Sequence, residues 1–395
     1  MINPYSCYAF SFTVSLLVYG LGWSQLYPSL TGSLIAFVGL TIVLHLILGL
    51  YWKSKVKFNF IQSYSFLDPL FTTVFIYLLW MADFIYEGGI PLFKILLDQP
   101  YNYRLFGIPS LHVFTVTFGS FFTIYLFSLY IIDKKKKHLI LFSINLFAAL
   151  LIYSRAMLLF NISSAIFVYF LNSPSLSWKK SSVLIAGVTF LVYFFGVLGT
   201  LRVSFETKEK YNSNLFLSTG QASTAFKESW IPNEFFWGYI YFSSPVANLQ
   251  ENITTFTVPP FSASRLFQHF NNEMLFDFIS KRINRLAHIE REKENTLPGT
   301  PFNVSTVYSR SFSYLGWPGM FLMAVFVLLL PLLYIRFLPS NQYQISAIAI
   351  VSTMYLFLFY DNTIRFTGLG LQLVYPFLLP LIERGSYWFQ KKPAL

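Results

Sequence analysis

Long apolar runs separated by short polar breaks occupy most of the chain. A helix that crosses a bilayer needs about 20 apolar residues, whereas a membrane β-barrel shows short alternating segments. The pattern predicts spans over roughly 8–27, 30–51, 66–86, 111–132, 139–153, 156–172, 182–200, 315–336, 345–360 and 366–383. The expected fold class is therefore an all-α polytopic membrane protein with about ten transmembrane helices. One polar interval is large. Residues 201–314 separate about seven spans in 1–200 from about three spans and a tail in 315–395. Within it, Leu275, Phe278, Ile279, Ile283 and Leu286 recur at helical spacing, with Asn272 available as an N-cap. This predicts an amphipathic helix over 272–290, lying over the membrane domain or packed in a small soluble subdomain. The aromatic stretch 230–241 suits a membrane interface.

The basic residues set the sidedness. Lys53, Lys55, Lys57, Lys134, Lys135, Lys136, Lys137, Lys179, Lys180, Arg336, Arg384, Lys391 and Lys392 fall on one side of a ten-span arrangement. The short loops of the other side hold only Lys94, Arg104, Arg155 and Arg365. That asymmetry places both termini in the cytoplasm and the 201–314 interval outside it. No cleavable signal peptide is expected, because the first apolar run lacks a basic leader. Only about 34 apolar residues separate the lysine run ending at Lys137 from Lys179, too few for two full spans. Two short helices, or a re-entrant pair, turning at Ser154 and Arg155 are predicted there.

Composition narrows the function. Apolar residues make up 55% and charged residues 11%, against about 25% charged in soluble domains. Mean hydropathy is +0.55. An ordinary soluble enzyme, a disordered chain and a coiled coil are excluded. The 80 aromatic residues (46 Phe, 26 Tyr and 8 Trp) suit lipid-facing and interfacial surfaces. Cys7 is the single cysteine, and no HExxH or HxxxH pair occurs among five histidines, so no metal site and no cofactor is expected. The net charge of +11 follows the membrane asymmetry, and no nucleic-acid partner is inferred.

Five arginines fall at the outer ends of spans: Arg104, Arg155, Arg202, Arg310 and Arg365. Insertion disfavours a positive ring on that face, and intramembrane or juxtamembrane arginines tend to be functional. Guanidinium groups bind phosphate oxygens bidentately and stay charged, so an anionic ligand such as a lipid-linked pyrophosphate fits. Arg155, Arg202 and Arg310 are the first choices for that role, with Arg104 and Arg365 next. His112, Glu251 and Asp361 are candidate general bases. His112 alternatively caps the fourth span, Asp361 alternatively pairs with Arg365, and Glu251 is alternatively a solvated loop carboxylate. Tyr308, Tyr239 and Trp230 are candidate platforms for sugar stacking. The sequons at Asn161, Asn252 and Asn303 carry no weight in a chain of this type.

Several short stretches then resemble a family. They are Gly89-Ile-Pro-Leu-Phe93, Arg104-Leu-Phe-Gly-Ile-Pro-Ser-Leu-His112, Tyr153-Ser-Arg155, Tyr239-Ile-Tyr-Phe-Ser-Ser-Pro-Val-Ala-Asn248, Asn303-Val-Ser-Thr306 and Tyr314-Leu-Gly316-Trp-Pro-Gly319. Together with the span count and the long late loop, they are similar to bacterial O-antigen polymerases, the Wzy-type oligosaccharide repeat-unit polymerases. The resemblance implies a metal-independent glycosyltransferase in the bacterial inner membrane. It would move a glycan from undecaprenyl pyrophosphate onto a lipid-linked repeat unit on the periplasmic or outer face. The implied partners are the undecaprenyl-pyrophosphate-linked oligosaccharide, membrane lipids and a chain-length regulator protein. The alternatives are an O-antigen ligase, which delivers the same donor to lipid A core, and a flippase or other transporter. A flippase should carry charges at mid-membrane and often shows repeated halves, and neither is seen.

Overall fold

Polar breaks mark the places where helices begin and end. Asn3 caps the first helix: its side chain accepts from the Ser6 backbone N–H at 2.9 Å, and Ser6 Oγ accepts from the Asn3 N–H at 3.0 Å. Pro4 then occupies the first turn, where a missing N–H leaves nothing unsatisfied. The computed structural model describes residues 2–56, 67–97, 99, 101, 105–172, 178–207, 212–300 and 302–390. In chain order the first helices are α1 (Pro4–Tyr19), α2 (Gly32–Lys55), α3 (Pro69–Tyr86), α4 (Pro91–Leu96), α5 (Leu111–Asp133) and α6 (Lys136–Leu151). There follow α7 (Arg155–Asn172), α8 (Trp178–Thr207), α9 (Leu215–Thr219), α10 (Thr224–Lys227), α11 (Phe235–Thr255) and α12 (Ala263–His269). A π-helical turn, Phe270–Met274, leads into α13 (Asp277–Ala287). The chain closes with α14 (Ser309–Leu315), α15 (Trp317–Phe337), α16 (Gln344–Phe357), α17 (Thr367–Gly370) and α18 (Tyr375–Gln390). No strand occurs among the described residues.

The expected all-helical membrane architecture is present at this level. Among the described residues, five helices are long and apolar enough to cross a membrane: α2, α3, α5, α7 and α15. Three shorter apolar segments, Ile185–Leu201, Gln344–Phe357 and Thr367–Glu383, accompany them. The crowded stretch after the lysine run forms two helices, α6 of 16 residues and α7 of 18; α6 is the short one, whereas α7 is among the helices long and apolar enough to cross a membrane. They turn at Ile152, Tyr153 and Ser154, where Tyr153 takes a left-handed φ of 53°.

Packing centres on α16, whose residues from Gln344 to Tyr355 are all buried. A helix apolar on every side belongs inside a bundle. It packs against α1, α5 and α7, while α1 also meets α2 and α11. Short polar side chains bridge these helices: Ser164 with Thr353 at 2.7 Å, Thr117 with Tyr375 at 2.7 Å, and Asn145 with Thr73 at 2.9 Å. In lipid such hydrogen bonds supply cohesion that apolar contact alone does not.

The 201–314 interval differs from the expected excursion. Its longest helix, α11, buries thirteen residues and packs on α1 and α8, so much of the interval is built into the bundle. The predicted amphipathic helix is shorter, starting at Asp277. Asn272 does not cap it; the Asn272 side chain instead accepts from Ser280 Oγ (3.0 Å) and Asn284 Nδ2 (2.7 Å). Asn248 and Asn252, one turn apart on α11, hold the rest of the interval. The Asn248 amide donates to the carbonyls of Phe302 (2.8 Å) and Val304 (2.6 Å), and its oxygen accepts from Leu297 N–H (2.8 Å). Asn252 donates to Ser309 O (2.9 Å) and accepts from Asn295 N–H (2.8 Å).

Pro331 interrupts the hydrogen-bond ladder of α15. Lacking an N–H, it leaves the Val327 carbonyl without its helical donor. The buried Tyr355 hydroxyl donates to that carbonyl, and Tyr5 donates to the adjacent Leu328 carbonyl at 2.8 Å. A freed backbone group in a membrane protein must be satisfied in this way. We therefore expect Tyr355→Phe to lower stability by about 1–3 kcal/mol, the usual penalty for an orphaned buried acceptor. Adding Pro331→Ala restores a donor for Val327 and should recover most of that loss. Thermal denaturation of the purified single and double variants in detergent measures the coupling; independent, additive effects would refute this account of Tyr355.

Candidate functional site

The interval's second half folds against the end of α16 and the turn that follows it, bringing distant charges together. α13 begins with Asp277, whose backbone N–H donates to Arg365 O at 2.8 Å. A carboxylate in the first turn of a helix is favoured by the N-terminal partial charge. Asp277 also receives two guanidinium groups, Arg365 at 3.0 Å and Arg291 at 3.4 Å. Arg291 lies 3.8 Å from the fully buried Glu273 and donates to the Asn272 carbonyl at 2.8 Å. Asn362 closes the group by donating to Glu273 Oε2 (3.2 Å) and Glu273 O (2.7 Å).

Arg310, on α14, joins from the other side. It pairs with Glu294 at 3.3 Å, and Glu273, Glu294, Asp361 and Asp277 all act on its charge. Burial disfavours that charge, yet the four carboxylates outweigh it and strengthen the guanidinium's hold on its proton. Asp361 sits in the turn after α16, where its carboxylate accepts from the Asn362 N–H at 2.6 Å. Burial raises the Asp361 pKa above the usual carboxylate range, with Arg310 pulling the other way and Glu273 and Asp277 adding to the rise. Glu294 is raised for the same leading reason, opposed by Arg310. A further pair, Arg265 with Glu292 at 3.3 Å, ties α12 to the same segment, and Arg265 Nε donates to the Tyr314 carbonyl.

Of the expected residues, Arg310, Arg365 and Asp361 thus meet in one network. Asp361 and Arg365 share that network without a direct ion pair, because Arg365 turns to Asp277 instead. Arg155 is exposed at the start of α7, and its charge acts on Tyr360, the chain neighbour of Asp361. No ion pair engages Arg155 among the described residues. Arg104 lies outside the described residues; Arg202 belongs to α8, but its side chain is outside them.

The remaining expectations fare differently. His112 binds Asp83 at 2.9 Å, and Asp83 also accepts from the Ile108 N–H at 2.9 Å. This pair clamps the end of α3 to the start of α5, and among the described residues it makes no ion pair or hydrogen bond with the arginine network. Glu251 lies within α11, not in a loop, and enters no ion pair among the described residues. Tyr308 is fully buried and hydrogen-bonds to Tyr8 with its hydroxyl, so its ring is core and offers no face to a sugar. Tyr239 is buried too, against Trp23 and Tyr27, and lines an apolar groove of 480 Å³ between α1, α8 and α11. Trp230, 93% exposed, stands at the edge of that groove.

Sequence reading missed Glu273, Asp277, Arg291, Glu294 and His269. His269 is buried, and burial lowers its pKa against the pull of Glu273. The carboxylates were inconspicuous because an interval with ten acidic and eleven basic residues looks like a solvated loop. The available signal was the run Asn271-Asn272-Glu273 inside an otherwise amphipathic stretch. No group of metal-ligating side chains occurs among the described residues. No family model, curated protein or solved structure matches this chain.

Proposed function

We propose that this protein is a membrane glycosyltransferase that polymerises undecaprenyl-pyrophosphate-linked oligosaccharide repeat units on the periplasmic or outer face of the bacterial inner membrane. The observation that carries the reading is the convergence of Arg310, Arg365 and Asp361 from separate stretches, with the exposed Arg155 acting electrostatically on Tyr360, next to Asp361 in the chain. The network itself is close to neutral: Arg291, Arg310 and Arg365 face Glu273, Asp277, Glu294 and Asp361. Arg155 is therefore the cation that meets the donor diphosphate. Arg310 and Arg365, already oriented by their carboxylates, stabilise the negative charge that grows as the leaving group departs. The acceptor hydroxyl attacks the anomeric carbon and its proton passes to Asp361. The bond from that carbon to the pyrophosphate oxygen breaks, and the oxygen keeps the electron pair. A raised pKa suits a carboxylate to this task near neutral pH. The apolar groove beside Tyr239 has the chemistry for an isoprenoid chain.

Deletion of the gene tests the reaction. A polymerase mutant leaves lipid A core capped with a single repeat, whereas loss of a ligase or flippase leaves uncapped core. Uncapped core would overturn the polymerase assignment.

Arg155→Ala should abolish the polysaccharide ladder, with at least about a 10²-fold loss of rate, while membrane level and thermal stability stay near wild type. Near-normal chain length in that variant would remove Arg155 from the site. Arg310→Ala should lose both activity and stability, because it strands the carboxylate of Glu294.

The acid side of the pH profile should report Asp361. Polymerisation should fall as pH drops through a value above the ordinary carboxylate range of about 4, and Asp361→Asn should lose that dependence along with most activity. The same raised values act on stability with the opposite sense. Between the unfolded and the raised folded pKa the native state binds more protons, so this contribution is fully present at low pH and is lost as pH rises through that window. Rate and melting temperature measured across pH 4 to 8 would separate the two; an unshifted acid limb in Asp361→Asn would exclude it as the base.

A further inference from the structure

The lysine run that opens α6 adjoins an apolar groove. Between α3 and α6 lies a cleft of 510 Å³, lined by Tyr77, Leu139, Ile140, Ser143, Ile144 and Phe147. Two hydrogen bonds fix its walls. The Tyr77 hydroxyl donates to the Ile144 carbonyl at 2.5 Å, and one turn earlier on α3 the Thr73 hydroxyl accepts from the Asn145 amide at 2.9 Å. Ser143 leaves the space open, because its side chain is small and its hydroxyl turns back to the Leu139 carbonyl at 3.0 Å. Ile140, Ile144 and Phe147 are all exposed, so the cleft faces outward from the bundle.

Charge gathers at one end of this cleft. Lys136, Ile140, Ser143 and Phe147 recur at i, i+4, i+7 and i+11, so Lys136 continues the groove's own face of α6. It lies about 6 Å along the axis from Ile140 at 1.5 Å per residue, a gap that a lysine stem covers along apolar surface. Lys137 flanks it. Both lysines are exposed, and neither enters an ion pair among the described residues. Asp133, the carboxylate nearest in sequence, is engaged by Lys135 at 3.5 Å and His138 at 3.1 Å. Asp68 is taken up in capping α3, where it accepts from the N–H groups of Leu70 and Phe71. Lys134 stands over the Tyr130 ring, 5.8 Å from its centroid.

The combination selects a ligand chemistry. An apolar cleft with free cations at one end matches an amphiphile with an anionic head. A zwitterionic head would bring its own cation toward the lysines, and a free phosphate would leave the cleft unused. Basic pockets between membrane helices recognise anionic lipids by this complementarity. A lysine run alone serves to orient a span and needs no groove. We propose that α3 and α6 form a binding site for one anionic glycerophospholipid of the leaflet that the lysine run faces. Its phosphate meets Lys136 and Lys137, and an acyl chain lies in the cleft across Ser143. The site shares no residue with the arginine network and stands independently of the glycosyl-transfer reading.

The test uses the purified, delipidated full chain in a neutral detergent. The probes are phosphatidylglycerol, phosphatidylcholine with the same acyl chains, and glycerol 3-phosphate, which has the head without the chains. Native mass spectrometry counts the retained adducts. One phosphatidylglycerol should be retained at least about fivefold better than phosphatidylcholine, and glycerol 3-phosphate should not be retained. Replacing Lys136 and Lys137 together by Gln should abolish the preference. Ser143→Trp fills the cleft but leaves both lysines, and it should abolish retention; its melting temperature in detergent shows whether it remains folded. Phe147→Ala, which removes one exposed wall, provides a second cleft variant and should weaken retention. Equal retention of the two lipids reduces the contact to ordinary surrounding lipid and overturns the site. A phosphatidylglycerol preference that survives in folded Ser143→Trp and Phe147→Ala, or retention of glycerol 3-phosphate, assigns the binding to the lysines alone and overturns the cleft.

Discussion

Two asparagines on α11 hold the charged end of this protein together. Asn248 and Asn252 project one helical turn apart from a helix packed against α1. Their amides convert two side chains into six anchoring hydrogen bonds to backbone and to Ser313. The segment from Asn295 to Ser309 has little regular structure of its own, so its polar backbone groups need partners. The asparagines supply several, and in doing so fix Glu294 and Arg310 on either side of the anchored stretch. Without that constraint the carboxylates and guanidinium groups would belong to a solvated connector.

The charge network carries a second constraint. Buried ions are expensive unless each is paired and hydrogen-bonded. Asp277 meets this requirement through a helix N-terminus and two arginines, and Glu273 through Asn362 and Arg291. Near-neutrality lets so many charges share one region. It also separates the arginines: those with carboxylate partners are held in fixed geometry, whereas Arg155 is exposed and enters no ion pair among the described residues. Fixed dipoles and charges of this kind need little reorganisation when charge develops during a reaction.

The membrane domain shows the same economy in a drier setting. Pro331 opens a gap in α15, and Tyr355 fills it from the most buried helix of the bundle. Ser, Thr and Asn bridge other helices where apolar contact provides no preference over lipid. These interactions give α16 a fixed position, and the turn that follows it carries Asn362, Asp361 and Arg365 to the site.

The sequence by itself determined that the chain is helical and apolar enough for a membrane, because a bilayer demands long uninterrupted runs whose backbone is satisfied locally. It also located the break between α6 and α7 near Ser154 and Arg155, although α7 proved long enough to span where a short helix was expected. Arg310, Arg365 and Asp361 were legible as candidates because charges beside apolar helices are conspicuous. Tertiary structure alone decided which of them meet. It buried Tyr308 and Tyr239 as core, paired His112 with Asp83, and drew Glu273 and Asp277 out of an ordinary-looking loop. Hydropathy reports how one segment partitions between water and lipid, and a hydrogen bond or ion pair between residues eighty positions apart leaves no trace in that quantity.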